Sequence, residues 1–148
     1  MRDFPLSATQ IKKVLAPVSG AADNVAQVGA IIDHAGFESA MYIILTGAIA
    51  DADVTFTVLL DEGDNSSLTD AAAVADANMV SQTIGTAPET AAAFQFDDDN
   101  EVRKLGYIGT KRYTRLTLTP ANNTGAWLIA ACCVLGEARN KPVTQAAS

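Results

Sequence analysis

Five of the chain's ten basic residues, Arg103, Lys104, Lys111, Arg112 and Arg115, fall within thirteen positions of a sequence whose formal charge is −7. Two chemistries suit such a cluster. One is phosphate binding, because Gly106 to Lys111 holds two glycines and a lysine, as a nucleotide-cradling turn does. The complete pattern sets four residues between its glycines, follows the lysine with Ser or Thr, and leads into a helix whose N-terminus faces phosphate. Here Arg112 takes the hydroxyl position and "RYTRLTLT" alternates as a strand does, so spacing and context both fail. The second chemistry is contact with an acidic protein surface. Tyr113, Arg115 and Thr117 share one face of the alternating stretch, and Thr114, Leu116 and Leu118 share the other. A rigid ring beside a multi-donor cation is the combination enriched where proteins meet. The candidate partner-binding residues are therefore Arg103, Lys104, Lys111, Arg112, Tyr113 and Arg115.

Other reactive residue types lead nowhere enzymatic. His34 is the sole histidine, and its neighbour Asp33 would face the opposite way on a strand; no nucleophile elbow accompanies them. The acidic groups Asp61, Glu62 and Asp64, and Asp97, Asp98, Asp99 and Glu101, lack the spacing, glycine and distant bidentate Glu of a calcium loop. Cys132 and Cys133 are adjacent, so on an extended strand they point to opposite faces, which disfavours a bridge between them; with one histidine elsewhere they make a poor zinc pattern. Reduced, packed thiols are expected, the state a cytoplasm maintains. No catalytic, cofactor-binding or metal residue is assigned.

The elements that must position the basic cluster are short and two-fold in period. "FESAMYIILTGAI" (37–49) is rich in strand formers, and "VTFTVLL" (54–60) alternates, with "GAIADAD" as a turn that would make the two an antiparallel pair. Phe94 and Phe96 alternate with Gln95 and Asp97. Val102 to Ile108 and Arg112 to Thr119 would form a hairpin about Gly109-Thr110-Lys111, with the glycines relieving turn strain. Residues 70–79 are alanine-rich without amphipathic order and fit either a short helix or a loop. "QIKKVLAPVS" reads as an edge strand or arm, since Pro17 cannot donate to a ladder. Short strands divided by turn residues, with scarcely any helix, predict an all-β antiparallel sandwich or barrel of about eight strands. The expected organisation is an N-terminal arm or edge strand over 1–20, a β-sandwich over 21–136 and a C-terminal arm over 137–148.

"AWLIAACCVLG" breaks the alternation, because Leu128, Ala130, Cys132 and Val134 leave its second face as apolar as its first. Either a segment of the same chain or another subunit must cover that face. The longest apolar runs are too short to span a bilayer, and the first residues lack the continuous hydrophobic region of an export signal. The acidic balance argues against general nucleic-acid binding.

The strings "IIDHAGFESAMYIILTGAI", "DADVTFTVLLDEGDN", "AAVADANMV", "KLGYIGTKRYTRLTLTP" and "TGAWLIAACCVLGEARNKPV" resemble small head proteins of tailed phages, of the capsid cement or decoration type. The resemblance covers about Ile31 to Val143. It implies a jelly-roll-like β-sandwich without enzymatic activity, placed on the outer surface of an HK97-type head after assembly in the host cytoplasm. The partners it implies are the major capsid protein and further copies of the chain, as a dimer in preference to a trimer; no membrane or nucleic acid is involved. His34 and the cysteines depart from the family pattern. Alternative readings are a carbohydrate- or receptor-binding module of the virion surface, with Tyr107, Tyr113 or Trp127 stacking on sugars, or another head–tail component.

Overall fold

A computed structural model describes residues 5–20 and 23–145. In chain order its strands are β1 (Gln10–Gly20), β2 (Gln27–Val28), β3 (Ile32–Asp33), β4 (Ser39–Ile49), β5 (Thr55–Gly63) and β6 (Ala72–Ala73). They continue with β7 (Met79–Ser81), β8 (Phe94–Gln95), β9 (Val102–Tyr107), β10 (Tyr113–Ala121) and β11 (Trp127–Gly136). Two short helices, α1 (Pro5–Ala8) and α2 (Pro88–Ala92), and a 3₁₀ turn over Asp76–Asn78 complete the described elements.

The strands form two antiparallel sheets. Sheet one has the order β1-β11-β4-β9-β7, and sheet two the order β2-β10-β5-β6, with β3 also on β10 and β8 also on β5. Because β2 and β3 pair with successive parts of β10, they act as one broken strand, and β6 and β8 do the same along β5. Eight strand positions result, plus β7 as an extra flank. First pairs with last, second with seventh, third with sixth and fourth with fifth, which is a long hairpin rolled over into two sheets. That is the jelly-roll arrangement.

The same pairing corrects two local expectations. β4 and β5 are not partners, and neither are β9 and β10; each pair lies in different sheets. Residues 50–54 and 108–112 are crossings. Five residues can reach about 16 Å, more than the roughly 10 Å between packed sheets. Gly109 does not serve turn strain, since only Gly36 and Gly85 have positive φ among the described glycines. A side chain there would meet the ring of Tyr107, its Cβ 2.5 Å from the hydroxyl oxygen. The undecided segment 70–79 resolves into β6, the 3₁₀ turn and the start of β7.

Alternation puts Tyr42, Ile44, Leu105, Trp127, Ile129, Cys133 and Leu135 of sheet one against Phe56, Val58, Leu60, Leu116 and Leu118 of sheet two, all buried. Phe56 stacks on Phe94 at 4.6 Å and meets Trp127 edge-on at 5.7 Å. Among the described strands β1 pairs with β11 alone, and its register slips between Lys13 and Leu15 and again between Leu15 and Val18, where Pro17 interrupts the donors. Residues 138–145, expected within an arm, run back along the beginning of the chain. The Val143 amide donates to the Ser7 carbonyl at 2.9 Å, and the Gln145 side chain bonds both the amide and the carbonyl of Ile11.

Candidate contact surfaces

The six candidate partner-binding residues do not form one patch. Arg103 and Lys104 lie on β9 of sheet one, whereas Lys111 and Arg112 lie in the crossing and Tyr113 and Arg115 on β10 of sheet two. Arg103 and Lys104 also alternate, so Arg103 shares the inner side of β9 with Leu105 while Lys104 faces out. Most of the cations carry a carboxylate of their own chain. Arg103 bonds Asp98 at 2.5 Å and Glu101 at 2.8 Å. Lys111 bonds Asp64 at 2.5 Å, and Arg112 grips Asp33 through Nε at 3.0 Å and Nη2 at 2.9 Å. Arg115 reaches Asp61 at 3.5 Å across the β10–β5 register. These pairs explain why the basic cluster sits in an acidic chain: Asp98 and Glu101 meet Arg103 from nearby in sequence, and Asp33, Asp61 and Asp64 converge on the others from far away. Lys104 forms no ion pair with a described residue. The guanidinium of Arg112 holds the Asp33 carboxyl below its usual range, and lies over the Tyr113 ring at 5.1 Å.

His34 is built into the join between the sheets. Its Nε2 is 2.6 Å from the Thr114 hydroxyl on β10, which also bonds the hydroxyl of Tyr42 on β4. The His34 ring packs on Tyr107 at 5.1 Å, and the Tyr107 hydroxyl donates to Glu62 at 2.6 Å. Burial lowers the His34 pKa to about 4, so the imidazole is neutral at neutral pH; its hydrogen bond stays within sheet two, and the Thr114–Tyr42 bond and the packing on Tyr107 reach sheet one. Beside it is an open pocket of about 530 Å³ lined by His34, Phe37, Tyr107, Lys111, Arg112 and Arg139, among others. Arg112 and Lys111 are paired as above, and Arg139 is paired with Glu38. Among the described residues, no group of three or more His, Cys, Asp or Glu could hold a metal ion.

The outer face of sheet one is the feature that "AWLIAACCVLG" foreshadowed. Cross-strand partners share a face, so the register fixes its rows. Ile11, Val134, Met41, Gly106 and Val80 form one row; Lys13, Cys132, Ile43 and Lys104 form the next; Ala130, Leu45 and Val102 form a third. Leu128 lies beyond them. Ile11, Met41, Leu45, Val80, Val102 and Leu128 are all exposed, Leu128 by 49%. A shallow apolar depression of about 350 Å³ opens beside Pro17, Leu45, Gly47, Leu128 and Ala130. None of the seventeen acidic residues lies in any strand of this sheet. The Cys132 thiol sits half-buried on this face with its pKa raised by burial, and Cys133, on the inner face, is pushed up to about 12. Both cysteines are free.

Sheet two is finished differently. Its outer face presents Thr55, Thr57, Leu59 and Asp61 on β5 beside Tyr113, Arg115, Thr117 and Thr119 on β10. Of the rings considered for sugar stacking, Trp127 and Tyr107 are buried and Tyr113 is half-buried. No described helix is long and apolar enough to cross a membrane.

No family model and no curated protein matches the chain. In fold it is similar to a chain in the structure of infectious bursal disease virus Gx strain, at 9% identity and a TM-score of 0.50, over 90% of this chain. It spans about a third, 34%, of that chain. A second similarity, to the CBM22-1–GH10 modules of the Clostridium thermocellum xylanase 10B complexed with xylohexaose, covers 93% of this chain and 27% of that one, at 9% identity and a TM-score of 0.41. At such identities the first likeness is one of fold, and it agrees with the jelly roll read from the strand order.

Proposed function

We propose that the chain is a non-enzymatic structural protein of a tailed-phage virion, a cement protein that binds the outer surface of an HK97-type head and ties neighbouring capsomers together. One observation supports this reading: the sandwich has two outer faces of contrasting chemistry on opposite sides, whereas His34 and most of the clustered cations are engaged within the chain. His34 is held by Thr114, and Arg103, Lys111, Arg112 and Arg115 are held by carboxylates. A bridging protein needs at least two such surfaces, and many modest contacts on a repeating lattice add up to firm attachment. The resemblance over Ile31 to Val143 and the fold shared with a chain of a virus structure support the same reading.

In this reading the shell contact is polar and lies at the Lys111–Arg115 end of sheet two, where ion pairs can exchange with carboxylates of the major capsid protein. Binding to the assembled lattice and not to its free subunits stabilises the shell by mass action. Assembly takes place in the host cytoplasm. The test uses expanded heads prepared without this chain. Incubated with it, they should take it up in a fixed ratio and withstand higher temperature; heads that take up none overturn the proposal.

A further inference from the structure

We infer that the outer face of sheet one is the interface between two copies of this chain, packed sheet against sheet. The face has the size required. Its five strands lie about 4.8 Å apart at about 3.3 Å per residue, which gives roughly 650 Å² for strand lengths of 11, 11, 10, 6 and 3 residues. Two such faces bury roughly 1,300 Å², inside the range of about 1,200–2,000 Å² for specific, stable interfaces.

Its charge pattern suits the approach of a second copy of so acidic a chain. Each copy carries a net charge of −7, so two copies repel wherever their carboxylates approach. The strands of sheet one are free of carboxylates, which makes this the face on which copies can meet with least repulsion. Lys13 and Lys104 stand at opposite ends of one row, at the flanks of the central β11–β4 pair, from where their ammonium groups can reach water at the rim. Between them the row is Cys132 and Ile43. An apolar centre with a thin charged rim is how an interface between like subunits is finished. The depression beside Gly47 and Ala130 adds relief into which a protruding leucine of the other copy can fit.

The purified chain alone tests this, without shells, so self-association and shell binding can fail independently. Sedimentation at about 10 µM should show a dimer that is unchanged or tightened as salt rises, because apolar burial drives it and screening relieves the repulsion. Leu45→Asp or Leu128→Asp should weaken it about a hundredfold, while Thr57→Asp on sheet two leaves it intact. The unmodified chain supplies a readout that needs no variant: maleimide should label Cys132 more slowly as protein concentration rises, with Cys133 unreactive throughout. A monomer at about 100 µM with Cys132 labelled at one rate at all concentrations overturns the inference. So does a trimer, or an association that weakens with salt.

Discussion

The two outer faces of one sandwich obey the same alternation and reach opposite results. On β10 the residues alternating with the buried Thr114, Leu116 and Leu118 are Tyr113, Arg115 and Thr117, so water is an acceptable neighbour. On β11 the residues alternating with Ile129, Ala131 and Cys133 are Leu128, Ala130 and Cys132, so water is a poor one. Neither face is needed to hold the sheets together, since the inner residues do that. The outward residues are therefore free to differ between the sheets, and they do.

The largest effect expected from breaking this contrast is on self-association. Placing Leu45→Asp and Leu128→Asp together should weaken the dimer about a thousandfold, with Thr57→Asp and Thr119→Asp as the nearly silent pair on sheet two; sedimentation equilibrium decides. Next is the join that carries both faces. With the folded pKa of His34 at about 4 and the unfolded imidazole near 6.5, the unfolded chain takes up the proton first. Stability from this site is thus complete above about pH 6.5 and falls as pH drops towards 4, by about 3 kcal/mol at most. Asp33 opposes the shift, while the Tyr107 ring and the Thr114 hydroxyl complete the surroundings. Urea unfolding of His34→Gln should lack this component of the pH dependence.

A smaller effect, confined to sheet one, is expected of Gly106→Ala. The new Cβ would lie 2.9 Å from Cβ of Val80, so β7 must shift, at about 1–3 kcal/mol. Hydrogen exchange should rise along Met79–Ser81 and not on sheet two. Smallest is Arg115→Ala, which removes a partly exposed pair with Asp61 at 3.5 Å and should alter stability by about 1 kcal/mol or less. The reversal of Arg112 and Arg115 to Glu should instead show in shell uptake, and uptake unchanged by it would remove the polar end of sheet two as the shell contact.

Period-two patterning made the facing of each long strand legible from the residues alone, as Leu116 and Leu118 against Arg115 and Thr117 illustrate. It also exposed the unusual second face of β11. Strand partnership was not legible, because alternation states which way a side chain points and not which strand lies beside it. That is why 50–54 and 108–112 look like hairpin turns while acting as crossings. The ion pairs were hidden for the same reason: Asp33, Asp61 and Asp64 are distant in sequence from Arg112, Arg115 and Lys111, and only the rolled topology brings them together. Broken strands such as β2 and β3, each two residues long, leave too little pattern to read.

The pairing of first strand with last has a consequence in time. β11 lies between β1 and β4 and supplies the centre of the apolar face, yet it is the last of the described strands to be synthesised. Until residues 127–136 have emerged, β1 has no partner in its sheet and the carboxylate-free surface lacks its central strand. A growing chain therefore carries β4 with an open edge and its inner residues uncovered, and sheet one closes over the core only when the last of these strands is added.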